Sequence, residues 1–182
     1  PKNEKNNLKL RDYGTARYLD NLRIVADACR DYGRVFDFIA GVNAQQEAFS
    51  VTEQMIRYQA YTAMAFGVQK LYWACWSPGW WYHNVLDKEG SRTSQYERLK
   101  KVNGEIRAFC DEYIRYRRVN TQFTGFTGRA AKWLAPSPDV YYPQQNFNTL
   151  SPLSTVFFTD ITAEDDLPLI VSDFEPRTPD RS

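Results

Sequence analysis

The stretch from Asp37 to Asp87 constrains this chain most: DFIAGVNAQQEAFSVTEQMIRYQAYTAMAFGVQKLYWACWSPGWWYHNVLD. It reads as a strand, a capped helix, a second strand and an aromatic-laden loop. Parallel strands cannot be joined by a tight turn, so a strand–helix–strand run of this length is the repeat of a parallel sheet with crossover helices. The strands are placed at 35–42 and 68–76, short apolar runs typical of strands buried on both faces. Between them, Ser50-Val-Thr-Glu53 has the spacing of a capping box. It predicts a helix to about Phe66, with Met55, Gln59, Ala63 and Phe66 on one face and Gly67 as its stop. The class is therefore α/β.

The flanks extend this pattern. Residues 1–14 are polar and aperiodic, a loop or tail. From about 15 to 32, Leu19, Leu22, Val25, Ala26 and Cys29 recur at three and four, one face of a helix that ends at Gly33. Ser94-Gln-Tyr-Glu97 is a second capping box, opening a helix through Leu99, Val102, Ile106, Cys110 and Tyr113. Arg115, Arg117 and Arg118 then read as the solvated end of that helix. Beyond about 118 helical periodicity stops, and Gly, Pro, Ser and Thr punctuate short apolar runs at 154–159 and 167–171. That texture predicts short strands in a β-rich appended segment, 119–182, with a boundary near 118–125.

Composition narrows the partners. The 182 residues carry 23 Lys and Arg against 22 Asp and Glu, a formal net charge of +1, which argues against nucleic acid as a partner. No run approaches the ~18 apolar residues of a membrane span. Cys29, Cys75 and Cys110 have no metal-ligand spacing and read as buried free thiols; no metal and no cofactor is implied. The chain opens on PKNEKNN without Met and shows no signal-peptide pattern, so it is expected to be a piece of a longer polypeptide. Its location stays open: the parent can be secreted or periplasmic, and free thiols are also compatible with the cytoplasm.

The outlier is aromatic content, 15% of residues. After the second strand, Trp80, Trp81, Tyr82, the only histidine (His83), Asp87 and Glu89 share one loop. Flat rings beside carboxylates are what a carbohydrate-binding cleft needs. Trp76, at the end of the strand, is either a platform under a sugar ring or a core residue. Of Trp80 and Trp81, one can stack on a sugar while the other packs beneath the loop, or both can anchor it. His83 either donates a hydrogen bond to substrate or is structural or exposed, as a lone His usually is, and Asn43, Gln45 and Gln46 either bond sugar hydroxyls or form an ordinary polar loop. Glu47 is either a catalytic or hydroxyl-binding carboxylate or a solvated loop residue. Glu53 is a capping residue, and Asp87-Lys-Glu-Gly90 forms a turn.

The ordered set Val51-Thr-Glu-Gln-Met-Ile-Arg57, Tyr61-Thr-Ala-Met-Ala-Phe-Gly67, Leu71-Tyr-Trp-Ala-Cys-Trp76, Leu86-Asp-Lys-Glu-Gly90 and Tyr96 through Asn103-Gly-Glu-Ile106 resembles the last third of a bacterial (β/α)8-barrel glycoside hydrolase of the beta-galactosidase type. The likeness covers about residues 15–118. It implies that this region is the C-terminal part of a TIM barrel, with strands seven and eight and their helices. Leu169-Ile-Val-Ser-Asp-Phe174 looks like a strand of the β-sandwich that often follows. The implied activity is hydrolysis of glycosidic bonds by two carboxylates, with this part supplying substrate-binding aromatics. A whole barrel needs ~250 residues, and the family's general acid would lie on earlier strands. Its nucleophile is a Glu at the end of strand seven, where this chain reads Gly41-Val-Asn43-Ala and the nearest carboxylate is Glu47. The piece alone is expected to be inactive and to associate with a missing barrel half or with itself through open strand edges. The alternative is a non-catalytic carbohydrate-binding or scaffolding protein on a barrel fold.

Overall fold

The computed structural model describes residues 18–124, 153–163 and 168–177; the expected tail at 1–14 and the start of the first helix lie outside them. Helix α1 (18–31) precedes strand β1 (Asp37–Gly41), helix α2 (Glu53–Ala65) and strand β2 (Lys70–Ala74). Helix α3 (Ser94–Tyr113), strand β3 (Tyr116–Thr124) and strand β4 (Leu169–Pro176) follow. β1 and β2 pair in parallel from Asp37 opposite Lys70 to Gly41 opposite Ala74, with α2 as the connection, as the strand–helix–strand pattern predicts. β3 and β4 form a separate antiparallel pair with a bulge between Arg118 and Asn120.

The parallel pair differs from expectation in one respect: only one of its faces is covered. Ala40 is buried, and Phe38, Leu71 and Trp73 are half-buried against the helices. The other face carries Ile39, 68% exposed, and Tyr72. Their apolar side chains made both faces look buried, but among the described residues nothing packs over Ile39. The outer edge of β1 is partly closed. The Gln59 amide accepts from Gly41 N–H (3.0 Å) and donates to Gly41 C=O (2.9 Å), so a helix side chain takes the place of a further strand at that residue.

Two apolar clusters share α2. Ala63 and Phe66 pack with Leu19, Leu22, Ala26, Phe36 and Phe123. Ile56 and Ala60 pack with Val42, Val85, Leu99 and Val102. The buried face of α2 is thus Ile56–Ala60–Ala63, one position round from the expected one, and Met55 is exposed. On α1, Val25 likewise turns to solvent.

Both helix starts fall later or earlier than the capping-box spacing suggests, because threonine takes the cap each time. Thr52 Oγ1 accepts from Met55 N–H (3.3 Å) and Thr93 Oγ1 from Gln95 N–H (3.1 Å). Val51 is buried, and its carbonyl accepts from the Gln95 amide (3.0 Å) and Arg98 (3.3 Å). That hold keeps the chain extended past Ser50, so the helix starts two residues later. Glu53 is no capping residue. It pairs with Arg57 (2.5 Å) and Lys101 (2.9 Å), while Arg57 forks onto Glu105 (2.7 and 2.5 Å) and ties α2 to α3. Hydrogen bonds from Lys101 and Arg57 hold the Glu53 carboxyl below the usual range, and Arg57 does the same for Glu105.

The helix stops follow expectation. Gly33 and Gly67 both take left-handed backbone (φ 60 and 83), and amide bonds from Arg34 to Cys29 O (2.7 Å) and Val68 to Ala63 O (3.1 Å) close the ends. At Gly67 a side chain would also collide: a Cβ there would lie 2.7 Å from Arg118 Cβ.

Arg117 and Arg118 do not end a helix; they lie in β3, which begins two residues after α3. The alternation of β3 buries Arg118, Thr121 and Phe123. Thr121 Oγ1 (2.9 Å) and Ser172 Oγ (2.8 Å) both donate to Ala65 O at the end of α2. Phe123 meets Phe66 edge-on, centroids 6.1 Å apart. Of the short runs expected to be strands, 167–171 falls partly in β4, whereas Thr155 to Phe158 is a turn closed by Thr155 N–H to Phe158 O (2.7 Å).

Candidate functional site

The sheet register puts the loops after β1 and β2 at the same end, and hydrogen bonds weld them. Ala44 and Tyr82 exchange backbone bonds of 3.0 and 2.9 Å. Asn43 is the clasp between them. Its Oδ1 accepts from Cys75 N–H, and its Nδ2 donates to Asn84 Oδ1 (2.8 Å). Asn84 in turn donates to Trp81 O (3.1 Å). Each end of the Asn43 amide holds a protein partner, so it positions the two loops. His83 sits in left-handed backbone (φ 56), and its Nε2 lies 2.8 Å from Glu47 O. It latches the second loop to the first.

The start of α3 supports the clasp from below. Thr93 Oγ1 donates to Asn84 O (2.6 Å), and the buried Gln95 amide donates to Val42 O (2.9 Å) and Val51 O (3.0 Å). Leu86 N–H reaches Trp76 O (3.1 Å). Asp87 turns the chain back: its carboxylate accepts from Ser91 N–H (2.7 Å) and Glu89 N–H (3.1 Å), the turn expected of Asp87–Gly90.

On this frame stand the rings. Trp80 stacks on Trp81 with centroids 3.6 Å apart and planes 26° from parallel. Trp80 is 67% exposed and Trp81 is half-buried, so one ring lies beneath and the other presents a free face. Trp76 is 44% exposed, which removes the reading of it as core. Its ring meets Tyr96 edge-on at 6.4 Å, and the Arg92 guanidinium lies 4.5 Å from the Tyr96 ring centroid. Gln45, Gln46 and Glu47 are exposed on the first loop. Glu47 is the sole carboxylate between residues 42 and 50.

The structure therefore gathers Trp76, Trp80, Trp81, His83, Asn43, Gln45 and Glu47 on one pair of loops, and divides them. Trp76, Trp80, Gln45 and Glu47 face solvent; Asn43 and His83 bind the loops together. Asn84, Tyr96 and Arg92 belong to the same construction and were not singled out by sequence. Asn84 was visible as a second amide next to His83, but its pairing with a residue 41 positions earlier leaves no local trace. Among the described residues no group of three His, Cys, Asp or Glu side chains is placed to hold a metal ion, and no helix is long and apolar enough to cross a membrane. No family model, no curated protein and no solved structure matches this chain.

Proposed function

We propose that the aromatic loop at the C-terminal ends of β1 and β2 is a carbohydrate-binding surface, in a domain that forms the C-terminal part of a glycoside-hydrolase (β/α)8 barrel. The observation that carries this reading is the Trp80–Trp81 stack, 67% exposed at Trp80. An unsupported indole at a loop tip would fold down onto the protein to leave water. Here Trp81 fills the space beneath and holds Trp80 outward, leaving a rigid apolar face for the C–H face of a sugar ring. Active-site loops of such barrels follow strand C-termini, which is where these loops lie. Hydrolysis would use two carboxylates, with Glu47 as this chain's candidate and the second on another strand.

The alternative, a non-catalytic carbohydrate binder, is favoured by one observation. The residue at the end of β1 is Asn43, locked by Cys75 and Asn84, where the hydrolase reading would want a carboxylate.

Oligosaccharides should quench the tryptophan fluorescence of the chain, and Trp80→Ala should weaken binding by about 1–2 kcal/mol, the scale of a lost aromatic contact. Unchanged affinity after replacing Trp76 and Trp80 together would remove the sugar platform. Glu47→Gln, made in a polypeptide that carries the whole barrel, separates the two readings: loss of aryl-glycoside hydrolysis with retained binding supports the enzyme, and binding with no hydrolysis by either form supports the binder.

A further inference from the structure

At the other end of β1 and β2 lies a cleft of about 610 Å³ between the ends of α1 and α2, residues 33–36 and the β3–β4 pair. Arg30, Arg34, Arg117, Arg118 and Arg177 line it, against the single carboxylate Glu175. Contacts from outside the lining add Asp27, which pairs with Arg118 (2.9 Å) and Arg30 (3.4 Å), and Asp31, which pairs with Arg30 (2.9 Å). Arg23, also outside the lining, pairs with Asp27 as well (3.7 Å), so positive charge exceeds negative around the cleft.

The decisive group is Arg118, whose side chain is 4% exposed. A guanidinium has five N–H donors. Its Nε donates to Thr121 Oγ1 (2.6 Å) and its Nη1 to Asp27 (2.9 Å); among the described residues Nη2 meets no acceptor. A buried charged donor without an acceptor is costly, and this one lines the cleft. At the rim Arg34 is exposed and has no bonding partner among the described residues. Arg177 uses only Nε, on Tyr116 O (3.1 Å), and Arg117 only Nε, on Glu175 (2.6 Å). Nor are these cations needed to cap the helices, because the amides of Gly33, Arg34, Gly67 and Val68 already bond the last carbonyls.

We propose that this cleft binds the dianionic phosphate of a small phosphomonoester, with Arg118 as the buried ligand and Arg34, Arg117 and Arg177 closing over it. A phosphate ester carries about two negative charges near neutral pH and three acceptor oxygens, which suits a cationic cleft with unused donors. Forked guanidinium groups bind phosphate oxygens in pairs. The volume lies in the range of small-molecule sites, roughly 300–1,000 Å³, and leaves room for the esterified group. This site is independent of the aromatic loop.

The test is calorimetric titration of the 182-residue chain with glycerol 3-phosphate, inorganic phosphate and succinate at constant ionic strength. Saturable binding is expected for glycerol 3-phosphate, tighter than for inorganic phosphate and with none for succinate. Arg34→Ala with Arg177→Ala, both on exposed side chains, should weaken it at least tenfold while the circular dichroism melt keeps its midpoint. Absence of saturable phosphate-ester binding would overturn the proposal. So would equal affinity in the double variant, binding of succinate as tight as the ester, or inorganic phosphate binding at least as tightly as the ester.

Discussion

The two ends of the β1–β2 pair solve opposite problems. At the C-terminal end, neutral amides and backbone groups lock two loops together, and aromatic rings are left outside. At the N-terminal end, apolar packing of Leu19, Ala26, Phe66 and Phe123 forms the base, and cations are left around a cleft. One end offers flat aromatic faces on exposed loops; the other offers positive charge in a recess. A short parallel pair thus displays two unlike chemistries, because each end is built from different partners: α3 and its preceding loop at one, α1 and β3–β4 at the other.

The largest test of that division is Gly67, which stands where the arginine end closes. Gly67→Ala should cost about 3 kcal/mol, from left-handed backbone plus the collision with Arg118. Gly33→Ala, with open space at the same conformation, should cost only about 1 kcal/mol. Urea unfolding of both variants checks the ratio; equal losses would mean that the Arg118 contact does not matter. At the aromatic end, Gln95→Leu should cost about 2 kcal/mol, since Val42 O and Val51 O lose their buried donor. It should also broaden the tryptophan emission as the loops loosen, which no substitution at Gly33 should do.

Trp80→Ala is expected to leave the melting temperature nearly unchanged, because the ring is mostly solvated, while weakening the loop's sugar binding by the amount stated above. A large loss of stability would make the pair a loop anchor. The smallest effect concerns Asp20 on α1, whose carboxyl is pushed up to about 6 by burial, opposed by Arg23. Its folded value exceeds the ordinary 3.8, so the folded state favours the protonated form. Its contribution is fully present below about pH 4 and is lost as pH rises through 6. The gain in melting temperature on Asp20→Asn should therefore grow from pH 4 to pH 7; a constant gain would mean that Asp20 does not titrate there.

How much was legible follows from where the signals are local. The β1–α2–β2 unit, both glycine stops and the Asp87 turn could be read directly, since each depends on residues within a few positions. The cap positions slipped because Ser and Thr are interchangeable acceptors; a distant residue, Gln95, decided between Ser50 and Thr52 by holding Val51. β3 was misread because Tyr-Arg-Arg-Val-Asn-Thr-Gln is polar, and its inward side carries Arg118 and Thr121. Their burial makes sense only with Asp27 and Ala65 across from them. At the site, the rings could be named from sequence. What Asn43 does could not, because the amide that answers it is Asn84.

Ala65 O, the carbonyl met by both Thr121 and Ser172, has a consequence for the order of events during synthesis. Helix α2 can form its ladder as soon as it leaves the ribosome. The hydroxyl of Ser172, 107 residues later, emerges only after several further seconds of elongation at ~5–20 residues per second. Until then the Ala65 carbonyl lacks one of its two hydroxyl donors. A segment made 107 residues after α2 is therefore one of those that close it.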